Sequence, residues 1–544
     1  MIKKILSALI ISVGLFATAA ATTTPTAVFL QTDRSSYISG DDLLFGVLLD
    51  TNILNDSING NDVLVDITAA NGSWIVGTVA KRNHSVASGL INIPDSLQTG
   101  YYLIRAYTNY PNVDNYFCQR EFYVTNRFGK TPDKTLRTNN SDTEKPVSGD
   151  IIGLTKTEFR TKERFELTLQ SDDSINAIVR IISKKQWDRQ WQPIAGKCEP
   201  FSFNDGFCPL TPYDGVLITG TVTDSVGTPI NNAVVFTSFQ DSVIRLRYDI
   251  SDENGRFCTL LHEYYGQQQI FVNAFNSKLE PYLNARITLD NQFYRTDSNN
   301  SLTESYQETD SMELNKAIIS KAYDLHLYKP QETSSRPESN YEQYVIGTPA
   351  HSIKTDDYVA FTDFNEIARE VLPFIRIRKN KGIAEMRIVT DFELKRTVNA
   401  NPFIIVDGVP LSQISPLLSC GSAKIKQVDT QTRPRYFGNI IFENGILIVW
   451  THKQDFWDKL SVPGTFSFTI QGFQPSLESG RPEQSKDKLP DLRQTTYWNP
   501  KVSANNGDKI EIELSDETGE FVIEFTGINR KGEIIKDFKL INVK

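Results

Sequence analysis

The sequence predicts a mostly β, multidomain chain in which tandem β-sandwiches are followed by a small α+β unit and a C-terminal β unit. Three observations carry this expectation. Apolar runs of strand length recur between clusters of turn residues from Val28 onward, at the spacing of sandwich strands. The 544 residues exceed one typical domain several times over, so about three to six units are expected rather than one core. Helical periodicity is clearest from Asp310, where Glu313 completes a capping-box-like start and Leu314, Ile318, Ala322 and Leu325 share a face before Pro330.

The N-terminus reads as a secretory signal over residues 1–21. Lys3 and Lys4 precede the apolar run Ile5 to Phe16, and small residues allow cleavage after Ala19 or Ala21. No later apolar run reaches membrane-spanning length, so an exported chain with no integral membrane segment of its own is expected. The net charge of −9, from 57 basic and 66 acidic residues mixed along the chain, offers nothing to phosphate backbones, and nucleic acid is not an expected partner. Five cysteines occur. Cys198 and Cys208 are close enough in sequence to be the candidate disulfide of an oxidising compartment, with buried thiols as the alternative.

Residues 24–126 form the first predicted sandwich, with FLQTDRSSYISGDDLLFGVLL and TGYYLIRAYTNY as its most distinctive stretches. They resemble the macroglobulin-like domain of α2-macroglobulins and of multidomain envelope proteins of Bacteroidetes. That resemblance implies core or turn positions for Tyr37, Gly40, Tyr102 and Tyr107. A polar linker, 127–149, leads to a second small β domain at 150–214, where Trp187 and Trp191 suit either strand-edge packing or a carbohydrate or protein contact. Residues 215–292 contain ITGTVTDSVGTPINNAVVF and DISDENGRFCTLL, which resemble the carboxypeptidase regulatory-like domain, a transthyretin-type sandwich. Asp249, Asp252 and Asn254 raise the question of calcium, but Asn254-Gly255 between two strand patterns reads as a hairpin turn without EF-hand spacing. Residues 293–355 are a second linker, carrying the helix 310–329.

Residues 356–455 form the α+β unit. A short helix around Asn365 to Leu372, capped by Thr362 or Asp363, precedes the run Phe403 to Val406 and its Asp407-Gly408 turn. A short helix, an alternating strand from Ile425, the Asn444-Gly445 turn and the run Ile446 to Trp450 follow. With VDGVP, YFG and NGILIVWT as its matching pieces, this stretch resembles the plug domain of TonB-dependent outer-membrane receptors. A plugged barrel needs about 22 strands of roughly ten residues. The residues after Trp450 are far too few for one, so a docking module is expected instead. The apolar Leu411, Leu417 and Leu418, with Arg433 and Tyr436, are the candidate partner contacts, and the helix 310–329 is expected to cover one face of the unit. A strand and Pro-rich connector occupy 456–497, and 498–544 form the C-terminal β unit, too short to close its core without docking on a neighbour.

Catalytic constellations are not legible. The five histidines are scattered, and His262-Glu263 has no second histidine four residues on, as a zinc peptidase requires. Cys420-Gly421-Ser422-Ala423 lacks the Glu and Gln of a macroglobulin thioester, and Gly129-Lys130-Thr131 lacks the earlier glycine of a phosphate-binding loop. No cofactor or metal is therefore expected. The expected function is non-catalytic binding or scaffolding in a Gram-negative (Bacteroidetes) envelope, on an outer-membrane or cell-surface protein complex, in the periplasm or at the surface. The alternatives are an accessory ligand-binding component of a TonB-dependent uptake system, and an envelope protease inhibitor or hydrolase.

Overall fold

The apolar runs of the N-terminal region pair into two stacked sheets. One has three strands, Val28–Thr32, Asp42–Leu49 and Val86–Asn92. The other carries Asn115–Thr125, Gly100–Tyr107, Asp62–Ala69 and Trp74–Lys81, with Ser36–Ile38 added in parallel to Asn115–Thr125. Phe45, Phe122 and Tyr37 fill the space between them, and Gly40 turns with φ 83°. This computed structural model describes residues 27–54, 60–108, 115–129, 135–138, 150–171, 174–190, 193–198, 215–262, 264–293, 302–305, 311–322, 347–380, 383–391, 396–398, 400–475 and 491–544. The predicted signal and Trp191 lie outside the described residues.

The second sandwich corrects the predicted boundaries. Its three-stranded sheet pairs Ile152–Gly153 and Arg164–Leu169 with Asp508–Glu513. Its five-stranded sheet interleaves Glu158–Phe159 and Ile175–Ser183 with Thr495–Ala504, Gly519–Ile528 and Ile534–Val543. The units predicted at 150–214 and 498–544 are thus two parts of one sandwich, because each alone carries only part of the strands that bury a core. Ile194–Cys198 leaves this sandwich and extends the larger sheet of the first by pairing with Asn115–Thr125. Trp187 packs against Phe538 at 5.2 Å between ring centres, a contact within the second sandwich.

In the third sandwich, Arg256–Leu261, Val216–Thr223 and Arg286–Leu289 face Arg247–Ile250, Val234–Ser238, Gln267–Phe275 and Thr465–Gln471. The last strand, predicted as a strand ahead of the Pro-rich connector, is an edge strand of this sandwich paired along Gln267–Phe275. The two predicted linkers also meet: Thr135–Thr138 pairs antiparallel with Leu302–Ser305. The helix Ser311–Ala322 packs beside Ser36–Ile38, and Lys316 reaches Glu517 of the second sandwich at 3.2 Å. Its described turns therefore serve the first two sandwiches rather than covering the α+β unit.

The α+β unit is built on a five-stranded sheet in the order His351–Lys354, Ile425–Gln431, Ile446–Thr451, Phe403–Val406, Val409–Pro410. Its helix Phe364–Val371 begins with a reciprocal cap. Asp363 accepts from Glu366 N at 2.9 Å, and the Glu366 carboxylate accepts from Thr362 N and Oγ1 at 2.8 and 2.9 Å. Phe364, Ile367, Ala368 and Val371 face inward, and Pro373 follows the last turn.

First and second sandwiches meet through Phe29, Leu44, Leu48, Val86, Ile178 and Trp498. Within this apolar contact the fully buried Arg180 donates through Nε to Glu524 at 2.7 Å, and also to the Thr32 carbonyl and to Gln190. Arg180→Ala leaves the Glu524 carboxylate buried without its counter-ion, a change that costs about 3–5 kcal/mol. Chemical denaturation of the variant is expected to show that loss in the transition of the first two sandwiches.

Candidate interaction surface

The run Phe403–Val406 is apolar at four successive positions because both faces of its strand are covered. It pairs in parallel with Ile446–Thr451, from Phe403 opposite Ile446 to Val406 opposite Val449. Asp407 and Gly408 follow with φ of 46° and 86°, both left-handed, as a two-residue hairpin turn onto Val409–Pro410 requires. A Cβ on Gly408 would lie 2.6 Å from the Phe239 carbonyl, so only glycine permits this approach to the third sandwich. The Asp407 carboxylate accepts from Thr451 N at 2.8 Å, Thr451 Oγ1 at 2.6 Å and Phe456 N at 3.3 Å. Burial raises its pKa above the usual carboxylate range, and these hydrogen bonds oppose the shift. Through these three hydrogen bonds Asp407 holds the turn against the end of the neighbouring strand.

The five predicted contact residues divide. Leu411 and Leu417 are core residues, 6% and 0% exposed, packed with Phe364, Ile425 and Trp457, which corrects their assignment to a contact surface. The helix Ser415–Leu418 folds back over the sheet and carries Leu417 inward, with Leu418 half-buried beside it. Ser412 Oγ donates to the Pro463 carbonyl at 2.6 Å, and a Cβ on Gly421 would meet the Phe361 carbonyl at 2.3 Å, so this loop is pinned at both ends. Arg433 and Tyr436 do reach solvent, and Tyr436 is 72% exposed.

Tyr436 lies on a two-stranded hairpin, Arg435–Phe437 with Ile440–Phe442, directly opposite Ile441. Alternation sorts the hairpin's faces: Ile440 and Phe442 are buried against the third sandwich, while Tyr436 and Ile441 point outward. Asn439 N donates to Tyr248 Oη at 2.8 Å, and the Tyr248 ring packs on Phe437, fixing the hairpin tip. Ile441 was missed in the sequence, although the period-two alternation of Ile440, Ile441 and Phe442 is a signal for it.

The chemistry-bearing residues are dispersed. Among the described residues no group of three or more His, Cys, Asp or Glu side chains converges. Asp252 Oδ1 accepts from Asn254 N at 2.9 Å and Arg256 N at 2.7 Å, a turn-closing role. Asp249 bridges the two sheets of the third sandwich by accepting from Cys258 N at 2.6 Å, and burial raises its pKa to about 6. Cys118 and Cys258 are buried, and Cys420 is a half-buried thiol whose pKa burial raises. The Cys198 side chain and Cys208 lie outside the described residues, and with them the candidate disulfide. Between the first and third sandwiches, Asp62, Leu64, Val79, Val216 and Thr219 line a cavity of about 40 Å³. Since a water needs roughly 10–15 Å³ by the same measure, it suits a few waters rather than an organic substrate. No described helix is long and apolar enough to cross a membrane.

Leu417→Ala is expected to cost about 2–5 kcal/mol, as a core truncation does, whereas Tyr436→Glu stays within about 0.5 kcal/mol. Thermal unfolding of the two variants distinguishes core from surface. For Asp249 the folded pKa lies above the unfolded one, so its stabilisation is complete below about pH 4 and is lost as pH rises through about 6. Asp249→Asn is expected to flatten that fall in stability across the window, measured as denaturation free energy against pH.

No family model matches the sequence, and no curated protein matches it. Among solved structures, the chain is similar to Salmonella alpha-2-macroglobulin reacted with methylamine, at 9% identity and TM-score 0.24, covering 96% of this chain and 39% of that one. It is also similar to the native conformation of E. coli alpha-2-macroglobulin, at 9% identity and TM-score 0.25, covering 97% and 40%. A tetra-tandem repeat from the extending region of a large adhesion protein matches at 8% identity and TM-score 0.15, covering 95% and 99%. The chain thus spans 39–40% of the length of these two macroglobulin structures, and at such scores none of the likenesses carries an argument about activity.

Proposed function

We propose that this chain is a non-catalytic, extracytoplasmic binding or scaffold protein of the Gram-negative (Bacteroidetes) cell envelope, docking on an outer-membrane uptake, secretion or assembly complex. The resemblances of its parts to macroglobulin-like, regulatory-like and plug domains belong to this proposal, as does its export. The observation that carries it is the double covering of the plug-like sheet. One face lies on the core of Phe364, Ile367 and Leu417, and the other on Phe236, Ile244 and Phe275 of the third sandwich. A unit whose faces are covered by its own chain needs no barrel wall to complete it. Among the apolar side chains it leaves to solvent are Tyr436 and Ile441, paired across a hairpin with Arg433 on the same connection. Tyrosine and arginine are the residue types that anchor protein interfaces.

The test is affinity purification from native membranes with the wild-type chain and with the Tyr436→Glu/Ile441→Lys double variant. Recovery of an outer-membrane complex is expected to fall about tenfold or more in the variant, equivalent to roughly 1.4 kcal/mol, with the thermal midpoint unchanged. Undiminished recovery removes this hairpin as the docking surface, and failure of the wild type to retain any envelope complex overturns the scaffold reading.

A further inference from the structure

A second hairpin of the α+β unit has one face that the fold does not use. Ile375–Asn380 pairs antiparallel with Ile383–Asp391, and alternation divides the ribbon from Ile375 to Arg378 and from Glu385 to Ile388, beyond which Phe374 and Val389 close the outer row as buried residues. Ile375, Ile377 and Met386 turn inward onto the core and Ile388 is buried beside them, Ile375 opposite Ile388 and Ile377 opposite Met386. The outer face carries Arg376 opposite Arg387, and Arg378 opposite Glu385. Like charges directly opposite each other on neighbouring strands repel, so Arg376 and Arg387 are not a pair that packing or sheet formation selects. Arg387 pairs with Glu385 on its own strand at 2.9 Å. Arg376 donates only to the carbonyls of Pro373 and Ile375, and among the described residues neither Arg376 nor Arg378 forms an ion pair.

We propose that this arginine face is a docking surface for an extended acidic segment of a partner protein. Arg376 and Arg378 sit two positions apart on one strand, about 6.6 Å along it, which is also the spacing of alternate side chains on an extended peptide. Carboxylates at every second position of such a segment meet the two guanidinium groups in register, and the guanidinium fork suits carboxylate geometry. A protein segment fits better than a phosphate-rich membrane surface. The chain as a whole carries a net charge of −9, which opposes approach to an extended anionic plane, and such a plane offers no two-position register to the guanidinium pair. The proposal extends the docking reading to a second surface and does not involve Tyr436 or Ile441, whose double variant tests that reading separately.

The probe is a fluorescein-labelled peptide of alternating glutamate and threonine, titrated with the full chain by fluorescence anisotropy at low and physiological salt. A peptide of the same composition with its glutamates in one block, and phosphatidylglycerol vesicles, are the comparison arms. The expected result is salt-sensitive binding that favours the alternating peptide, weakened about tenfold or more in Arg376→Gln/Arg378→Gln and to a lesser extent in Arg378→Gln. Because both arginines are exposed, thermal unfolding of the variants should match the parent. No binding of the alternating peptide, binding that the double variant leaves unchanged, or tighter binding to vesicles than to peptide each overturns the proposal.

Discussion

Two-sided burial of the parallel pair Phe403–Val406 and Ile446–Thr451 is the constraint on which the arrangement of the α+β unit and third sandwich depends. Phe403, Ile405, Ile446 and Ile448 pack toward the third sandwich, while Ile404, Val406, Leu447 and Val449 pack toward the helical side. Each such side chain contributes about 1.5–3 kcal/mol on leaving water, so separating the two units would expose one complete row. Apolar residues on both faces also mean that hydrophobicity alone does not fix the strand register, since a slip by one residue still buries an apolar row. The polar contacts of Asp407 supply what the apolar pattern lacks. Its carboxylate engages Thr451 at the C-terminal end of the parallel partner strand, and its carbonyl accepts from Asp241 N of the third sandwich at 3.0 Å.

The path of the chain makes the units interdependent. The second sandwich opens with Ile152 and is completed by the strand ending at Val543, while Thr465–Gln471 returns to the third sandwich after the whole α+β unit has been traversed. Phe473, fully buried, then bridges to Val79 of the first sandwich and Tyr265 of the third. Gln474 follows, accepting from Leu90 N at 2.8 Å at the edge of the smaller first-sandwich sheet. These pairings join residues hundreds of positions apart, so their loop-closure entropy is met late, when the distant strands have been made.

The fold class was legible because strand alternation and turn chemistry are local properties. Asp407-Gly408 turns where its residue types require it, Asn254-Gly255 also turns but joins strands of opposite sheets rather than closing the expected hairpin, and the predicted cap on the helix before Pro373 resolves to Asp363 with Glu366 as its reciprocal partner. Strand partnership was not legible. Nothing in Arg164–Leu169 specifies that its neighbour is Asp508–Glu513, since pairing depends on chain path rather than composition. The same limit explains Leu417. The short helix there was expected, but one turn of helix does not tell from sequence which of Leu417 and Leu418 faces Ile425 and Trp457, whereas Tyr436 had a turn on one side and alternation around it.

The two hairpins with open outer faces share one construction. In each, the inward row carries the packing: Ile440 and Phe442 in one, Ile375, Ile377, Met386 and Ile388 in the other. Because side chains alternate strictly along a strand, the outward row bears no share of that packing and its chemistry is unconstrained by the core. The outer rows nevertheless differ sharply, with an aromatic and an aliphatic residue on one and three arginines around a single glutamate on the other. If solubility alone governed these positions, both would tend toward mixed charge, since an exposed Tyr–Ile pair and opposed arginines each carry a solvation or repulsion cost. That such residues stand where the fold exerts no demand is the physical reason to look for binding on the hairpins rather than in the small cavity between the sandwiches.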